Sequence, residues 1–284
     1  MKRVGIIVKP HKAEARTVLK DLLAWLDGRG VQALLDEETA ALVGAPGSHP
    51  KAKLPELVDL LLVLGGDGTL LSVARLVGAR DVPILGVNLG ALGFLTEVTL
   101  DELYSTLEGV LRGTYEVTRR ILLSAAVRRA GEPVADYVAL NDAVIHKSDL
   151  ARIIELETYI DGQYVTTFRA DGLIISTPTG STAYCLSAGG PIVYPTLGAL
   201  VVAPICPHAL TVRPLVIPDT ATVKMVQASE GESAYLTLDG QVGFTLHHRD
   251  VIEVGRSDHT IALIKVPGKS YFQVLRAKFK WGER

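Results

Sequence analysis

The fold is decided by Val58-Asp59-Leu60-Leu61-Leu62-Val63-Leu64-Gly65-Gly66-Asp67-Gly68-Thr69-Leu70-Leu71. Val58 to Val63 is a short apolar run of the kind a buried strand gives, and Leu70 to Val77 has helical spacing. The glycines therefore sit at a strand-to-helix turn. Glycine tolerates positive φ and lets backbone N–H groups approach a ligand closely. The helix N-terminus just beyond adds unpaired donors and a partial positive charge, which suits phosphate. Asp67 cannot hold phosphate itself, because like charges repel. It can hold a ribose hydroxyl, take its proton, or bind a metal. The plainer reading makes Asp67 an N-cap of the helix. The rest of the chain has to decide.

Outward from this turn, strands and helices alternate. Val4 to Val8 reads as an apolar strand. Ala13 to Asp27 puts Val18, Leu19, Leu22, Leu23, Trp25 and Leu26 largely on one helical face, and Gly28 is a stop. Val31 to Leu35 reads as a strand, and Glu37 to Val43 as a short helix before a loop with Gly and Pro. Pro83 to Asn88 is another buried strand, Gly90 to Phe94 a glycine-punctuated loop, and Leu100 to Leu111 a helix ended by Gly113. This alternation implies a mostly parallel sheet covered on both faces. Ligands in such sheets bind at the carboxyl ends of strands, where Asp67 lies.

Near Thr114 the pattern changes. Tyr115 to Arg129, Val134 to Leu140, Arg152 to Ile160, Gln163 to Phe168, Leu173 to Ser176, Ala199 to Ala203, Thr211 to Ile217, Ala221 to Gln227, Ala234 to Leu238 and Val251 to Val254 read as short strands. Gly131-Glu132 looks like a hairpin tip, and Asp161-Gly162 and Asp239-Gly240 are strong hairpin turns. Such a series suggests a sandwich. Tyr271 to Trp281 resembles a short helix with Phe272, Leu275 and Phe279 on one face. There is no internal repeat.

The 284 residues suffice for one large domain or two ordinary ones, and a 48% hydrophobic content allows a sizeable core. A net charge of −2 offers no basic excess for nucleic acid. Two cysteines, Cys185 and Cys206, fit a reducing compartment rather than a disulfide framework. Met1 to Val8 has too short an apolar run for a signal peptide, and no run is long enough to span a membrane, so a soluble cytoplasmic protein is expected.

Two further constellations can carry chemistry. Leu140-Asn141-Asp142-Ala143 ends a strand and sets an amide, which both donates and accepts, beside a carboxylate. Such a pair can read a base edge or ribose hydroxyls, although alone it reads as an Asx turn. Arg169 to Tyr184 delivers a strand into a loop crowded with hydroxyls and glycine, followed by Ser187-Ala188-Gly189-Gly190-Pro191. Exposed N–H groups and hydroxyls are what a loop needs to hold a nucleotide. His146, His208, His247 and His248 lack metal-ligand spacing, and Asp239-Gly240-Gln241 reads first as a hairpin tip.

Taken together, Gly65-Gly66-Asp67-Gly68, Asn141-Asp142, Asp171 to Tyr184, Ser187 to Pro191, Pro207-His208 and Arg213 to Val216 resemble the NAD kinase family. The glycine-aspartate turn is shared with lipid kinases and phosphofructokinases, whereas the long central stretch is far more specific. The resemblance implies a Rossmann-like α/β domain (1–114), a β-sandwich-like NAD-binding domain (115–264) with the site between the two, and a C-terminal helix (265–284) packing back on the first domain. It implies transfer of the terminal phosphoryl group of ATP, or polyphosphate, to the 2′-hydroxyl of the adenosine ribose of NAD, giving NADP. A divalent cation, Mg²⁺ held largely by ATP phosphates, would assist.

By resemblance, Asp67 is the general base, and Asn141 and Asp142 hold the adenosine part of NAD. Asp171 lies near the nicotinamide end, with Arg152 and Arg169 nearby. Thr182, Ala183, Tyr184, Cys185, Leu186 and Ser187 line the dinucleotide site, and Gln241 approaches it. Gly66, Gly68, Arg75 and Phe94 complete the binding set. Family members are dimers or tetramers, so a homodimer or homotetramer is expected. Two positions depart from the pattern: Asp142 stands where many members have Glu, and Cys185 where serine is common. The alternatives are a diacylglycerol-type lipid kinase with the same turn, which lacks here a basic amphipathic helix for a membrane, and a non-catalytic NAD-binding module.

Overall fold

The computed structural model describes residues 1–10, 14–90, 92–148, 153–229, 234–266 and 268–282. Contacts divide the chain into two units, Met1–Arg119 with Ile261–Arg284, and Arg120–Thr260.

The first unit runs β1 (Arg3–Val8), α1 (Ala15–Asp27), β2 (Gln32–Leu35), α2 (Glu37–Val43), α3 (Leu54–Leu57), β3 (Leu60–Gly65), α4 (Asp67–Val77), β4 (Ile84–Asn88) and α5 (Leu103–Leu111). The strands are parallel in the order β2-β1-β3-β4. Every residue of β3 is buried, which is why it reads as an unbroken apolar run rather than an alternating one. Leu19, Leu22 and Leu26 of α1 join Ile6, Leu62 and Leu85 in the core. Asp36 caps α2 by accepting from Thr39 N at 3.0 Å. The α3 turn was not expected from sequence, and α5 begins at Leu103 rather than Leu100.

The second unit begins within β5 (Glu116–Arg129) and continues with β6 (Glu132–Ala139), β7 (Asp142–Lys147), β8 (Ile154–Ile160), β9 (Gln163–Ala170), β10 (Gly172–Ser176), α6 (Tyr184–Ser187), β11 (Ala199–Ile205), β12 (Leu215–Pro218), β13 (Val223–Gln227), β14 (Ala234–Leu238), β15 (Val242–Leu246) and β16 (Val251–Lys265). One sheet has the antiparallel order β12-β11-β10-β7-β14-β15. The other pairs β16, β13, β8 and β9, with β5 alongside β16 and β6. Ala143, Ile145, Leu173, Ile175, Leu236 and Leu238 from the first sheet meet Leu123, Leu156, Met225 and Ile252 from the second in one core, which makes this unit a β-sandwich. Both Asp-Gly hairpins put their two turn residues at positive φ, +49° and +77° at Asp161-Gly162 and +51° and +63° at Asp239-Gly240. The first hairpin tip is Ala130-Gly131, one residue earlier than expected.

Sequence reading missed β7 and β15 and stopped β16 at Val254. The Asn141-Asp142 pair does not end a strand: β6 stops at Ala139, and Asp142 opens β7. The chain returns to the first unit along β16, where Leu263 pairs with Ile84 of β4. It ends in α7 (Tyr271–Phe279), capped by reciprocal Ser270 and Gln273 hydrogen bonds. In that unit Lys278 Nζ donates to Leu92 O at 2.9 Å, and the Phe279 ring lies 5.7 Å from Phe94. The C-terminal helix thus packs back on the α/β unit.

Candidate active site

In the first unit the chemistry centres on Asp67. Gly66 caps α4 in an extended conformation, φ −104°, and Asp67 is the first helical residue, with no side-chain cap on the helix. The N-cap reading of Asp67 is therefore set aside. Its carboxylate reaches instead to the loop after β4. Oδ1 accepts from Leu95 N at 3.0 Å, Thr96 N at 3.1 Å and Thr96 Oγ1 at 3.0 Å, and Oδ2 accepts from Phe94 N at 2.8 Å. Asn88, at the end of β4, donates to Thr96 Oγ1 at 3.0 Å and braces this loop. Two carboxylate oxygens offer about four lone-pair sites. Oδ1 is fully engaged, and among the described residues Oδ2 accepts one hydrogen bond.

The glycines around Asp67 have separate reasons. A Cβ on Gly65 would lie 2.6 Å from Thr69 Oγ1, so packing demands glycine there. A Cβ on Gly66 would meet nothing within 4 Å, which leaves the turn open to a ligand. Neither residue uses positive φ, contrary to expectation. A Cβ on Gly93 would overlap Asp67 Oδ1 and Thr96 Oγ1, so Gly93 makes room for the carboxylate. Gly68 lies in the first turn of α4, Arg75 in its last turn and partly buried, and Phe94 contributes its N–H to Asp67 and its ring to Phe279.

In the second unit a pocket of about 570 Å³ opens on the outer face of the six-stranded sheet, opposite the sandwich core. The period of two along a strand explains its lining. Ala143 and Ile145 face the core, so Asp142, Val144 and His146 face out into the pocket. Across the ladder Thr237 pairs with Val144, and Asp239 follows just past β14. Asp171, Ala183, Tyr184 and Ile205 complete the walls. The Thr177–Gly180 turn is pinned to the Asn141 edge: Thr177 N donates to Asn141 O at 2.9 Å and Thr177 Oγ1 to Leu140 O at 2.6 Å. A Cβ on Gly180 would overlap the Asn141 backbone.

The electrostatics mark this pocket for a polar ligand. Asn141 Oδ1 is buried and has no hydrogen-bond partner among the described residues, so it awaits a donor. Burial, with the charge of Asp239 adding to it, pushes the Asp142 carboxyl up to about 7. Asp171 forms an ion pair with Lys147 at 2.8 Å.

The structure narrows the expected set. Asn141, Asp142, Asp171, Ala183 and Tyr184 come together at the pocket; Thr182, Leu186, Ser187, Arg169 and Gln241 do not line it. Arg169 pairs with Glu155 at 3.1 Å instead. Cys185 is fully buried against Val144, Ile174 and Val201 on the sheet, and burial pushes its thiol up to about 11. It is a core side chain, not a lining one. Arg152 lies outside the described residues. Sequence reasoning missed Val144, His146, Lys147, Ile205, Thr237, Asp239 and Gly240 as lining. Once β7 is known to start at Asp142, alternation finds Val144 and His146.

Two family models match the chain: the ATP-NAD kinase N-terminal domain over residues 4–115 and the ATP-NAD kinase C-terminal domain over residues 140–266. The NAD kinase of Syntrophotalea carbinolica is 53% identical over 285 residues, covering 100% of both chains. The chain belongs to the NAD kinase family.

The NAD kinase of Geobacter metallireducens is 52% identical, again over 100% of both chains. Among solved structures, yeast NADH kinase complexed with NADH has a TM-score of 0.92 at 26% identity, covering 100% of this chain and 89% of that one. An NAD kinase from Archaeoglobus fulgidus in complex with ATP has a TM-score of 0.79 at 25% identity, covering 98% of each. Membership in the family makes this chain a phosphotransferase acting on NAD, in place of a lipid kinase or a non-catalytic module. No helix among the described residues is long and apolar enough to cross a membrane.

Proposed function

We propose that the chain transfers the terminal phosphoryl group of ATP, or of polyphosphate, to the 2′-hydroxyl of the adenosine ribose of NAD, giving NADP. The observation that carries this reading is the Asp67 carboxylate, held by four donors, with one lone pair on Oδ2 unused among the described residues. A ribose hydroxyl is a poor nucleophile at neutral pH. A carboxylate oriented in advance takes its proton as the phosphoryl group arrives, worth about 10²–10⁴ in rate. The open face at Gly66 and the N-terminus of α4 receive phosphate oxygens.

Dinucleotide recognition falls to the pocket of the second unit. Asn141 and Asp142 hold adenosine groups, Asp171 acts toward the nicotinamide end, and Tyr184, 48% exposed, offers a face for stacking. The described residues contain no group of three His, Cys, Asp or Glu that could hold a metal ion. The divalent cation, Mg²⁺ in this proposal, enters as part of the ATP substrate.

We place the protein in the cytoplasm, on its two free cysteines. We expect a homodimer or homotetramer, because edge strand β12 exposes Leu215 and Val216. Sedimentation as a monomer alone at micromolar concentration contradicts that assembly. The decisive assay offers NAD and diacylglycerol side by side, with ATP and with polyphosphate. NADP must form and the lipid must stay unphosphorylated; the reverse, or NAD binding without NADP, defeats the proposal.

A further inference from the structure

From sequence Asp239 reads only as the tip of a hairpin, and in the structure it borders the pocket. The structure gives its side chain a second task. It is 8% exposed, at φ +51°, and its carboxylate accepts three consecutive backbone N–H groups from the opposite strand junction. These are Leu140 N at 3.1 Å, Asn141 N at 2.7 Å and Asp142 N at 3.3 Å. Its own N–H donates to Asp142 O at 3.0 Å. The bend that presents Asn141 and Asp142 to the pocket is thus wrapped around one carboxylate. Without the Asp239 carboxylate, the N–H groups of Leu140, Asn141 and Asp142 would lose this acceptor, at a substantial cost where they are buried.

We propose that Asp239 is a positioning residue: it fixes the Leu140–Asp142 backbone so that the two recognition side chains meet the nucleotide in one geometry. This rests on the pocket being the NAD site. Asp142 is 4% exposed. The charged and titratable groups around it are Asp239 on the β14–β15 turn, His146 and Lys147 on β7, Asp171 before β10, and Tyr184 and Cys185 on α6. Lys147 is spent on Asp171. Burial is the main cause that raises the Asp142 carboxyl, and the neighbouring Asp239 adds to it. Asp142 therefore gives up its proton near neutrality and meets a ribose or base edge as a donor below that point and an acceptor above it.

The test compares Asp239→Asn, Asp142→Asn and Asn141→Ala in the full chain, with KM, kcat and pH profiles for NAD and for ATP. Asparagine at position 239 keeps the shape but turns an N–H donor toward one of the three amides. KM for NAD should rise about tenfold, the scale of one lost buried hydrogen bond. The loss should fall on KM for NAD rather than on kcat or KM for ATP. The step near pH 7 in KM for NAD should move toward the ordinary carboxylate range. An unmoved pH step with an unmoved KM for NAD overturns the proposal, as does an equal loss for both substrates, which marks a purely structural residue. If Asp239→Asn does not fold, Asp142→Asn carries the test: the step near pH 7 must vanish, and its persistence overturns the proposal. Asn141→Ala separates the two levels. If it leaves KM for NAD unchanged, the pocket reading itself has failed. If it raises KM while Asp239→Asn does nothing, only the role of Asp239 has failed.

Discussion

Two aspartates in this chain live in opposite surroundings. Asp67 in the α/β unit accepts four hydrogen bonds from the loop after β4. Asp142 in the β-sandwich unit is buried beside a second carboxylate, that of Asp239. The first is an acceptor fixed before any substrate arrives. The second is a group whose proton depends on its neighbour and on pH. In the function proposed above, the same side chain becomes a reaction group in one place and a recognition group in the other, and the difference lies in its surroundings.

The comparison breaks most sharply at Asp67. Asp67→Asn is close in size and still accepts, but cannot take a proton, and its amide opposes one loop N–H. Turnover should fall by about 10²–10⁴ with the fold retained. Steady-state rates and a circular dichroism spectrum check this, and near-normal turnover contradicts it. Recovery at raised metal concentration would instead make Asp67 an orienter of the cation.

The next effect comes from the cradle. Gly93→Ala forces a methyl into Asp67 Oδ1 and Thr96 Oγ1. A displacement of about 1 Å at a reacting group costs on the order of 10² in rate. Kinetics of the variant should show that loss in kcat, with NAD affinity by calorimetry changed far less.

At Asp142 the comparison shows in stability. Its folded value, about 7, lies above the ordinary carboxylate value. Between about pH 4 and 7 the folded chain keeps a proton that the unfolded chain has lost, so stability falls as pH rises through that window, by roughly 1.4 kcal/mol per unit at most. Melting temperatures across pH should slope downward in the native protein and flatten in Asp142→Asn. The smallest effect concerns Cys185→Ser. Restoring the hydroxyl common in the family should cost about 1 kcal/mol of stability, because the site is apolar core. KM for NAD should stay put, as checked by melting and kinetics together.

Much of this was legible in the sequence. The buried strand before Gly65 and the turn after it announced the parallel sheet, and the two Asp-Gly pairs fixed two hairpins. Local signals of that kind depend on few residues. What escaped depends on contacts distant along the chain. β7 was hidden because Ala143, Val144 and Ile145 are buried on both faces and show no alternation. Cys185 reads like its hydroxyl-rich neighbours, yet α6 turns it into the sheet. The partners of Asp67 lie 27 to 29 residues away, and Gly93 gains its meaning only from where Asp67 points. Asp239 stands 97 to 99 residues from the amides it gathers.

The division of labour between the two aspartate regions is tested most directly by measuring kcat and NAD dissociation constants for the native chain, Asp67→Asn and Asn141→Ala in parallel, with NADP formation as the readout. Asp67→Asn should lose turnover and keep NAD affinity, whereas Asn141→Ala should lose NAD affinity and keep most of the turnover at saturation. Normal turnover in Asp67→Asn, or unaltered NAD affinity in Asn141→Ala, contradicts the account.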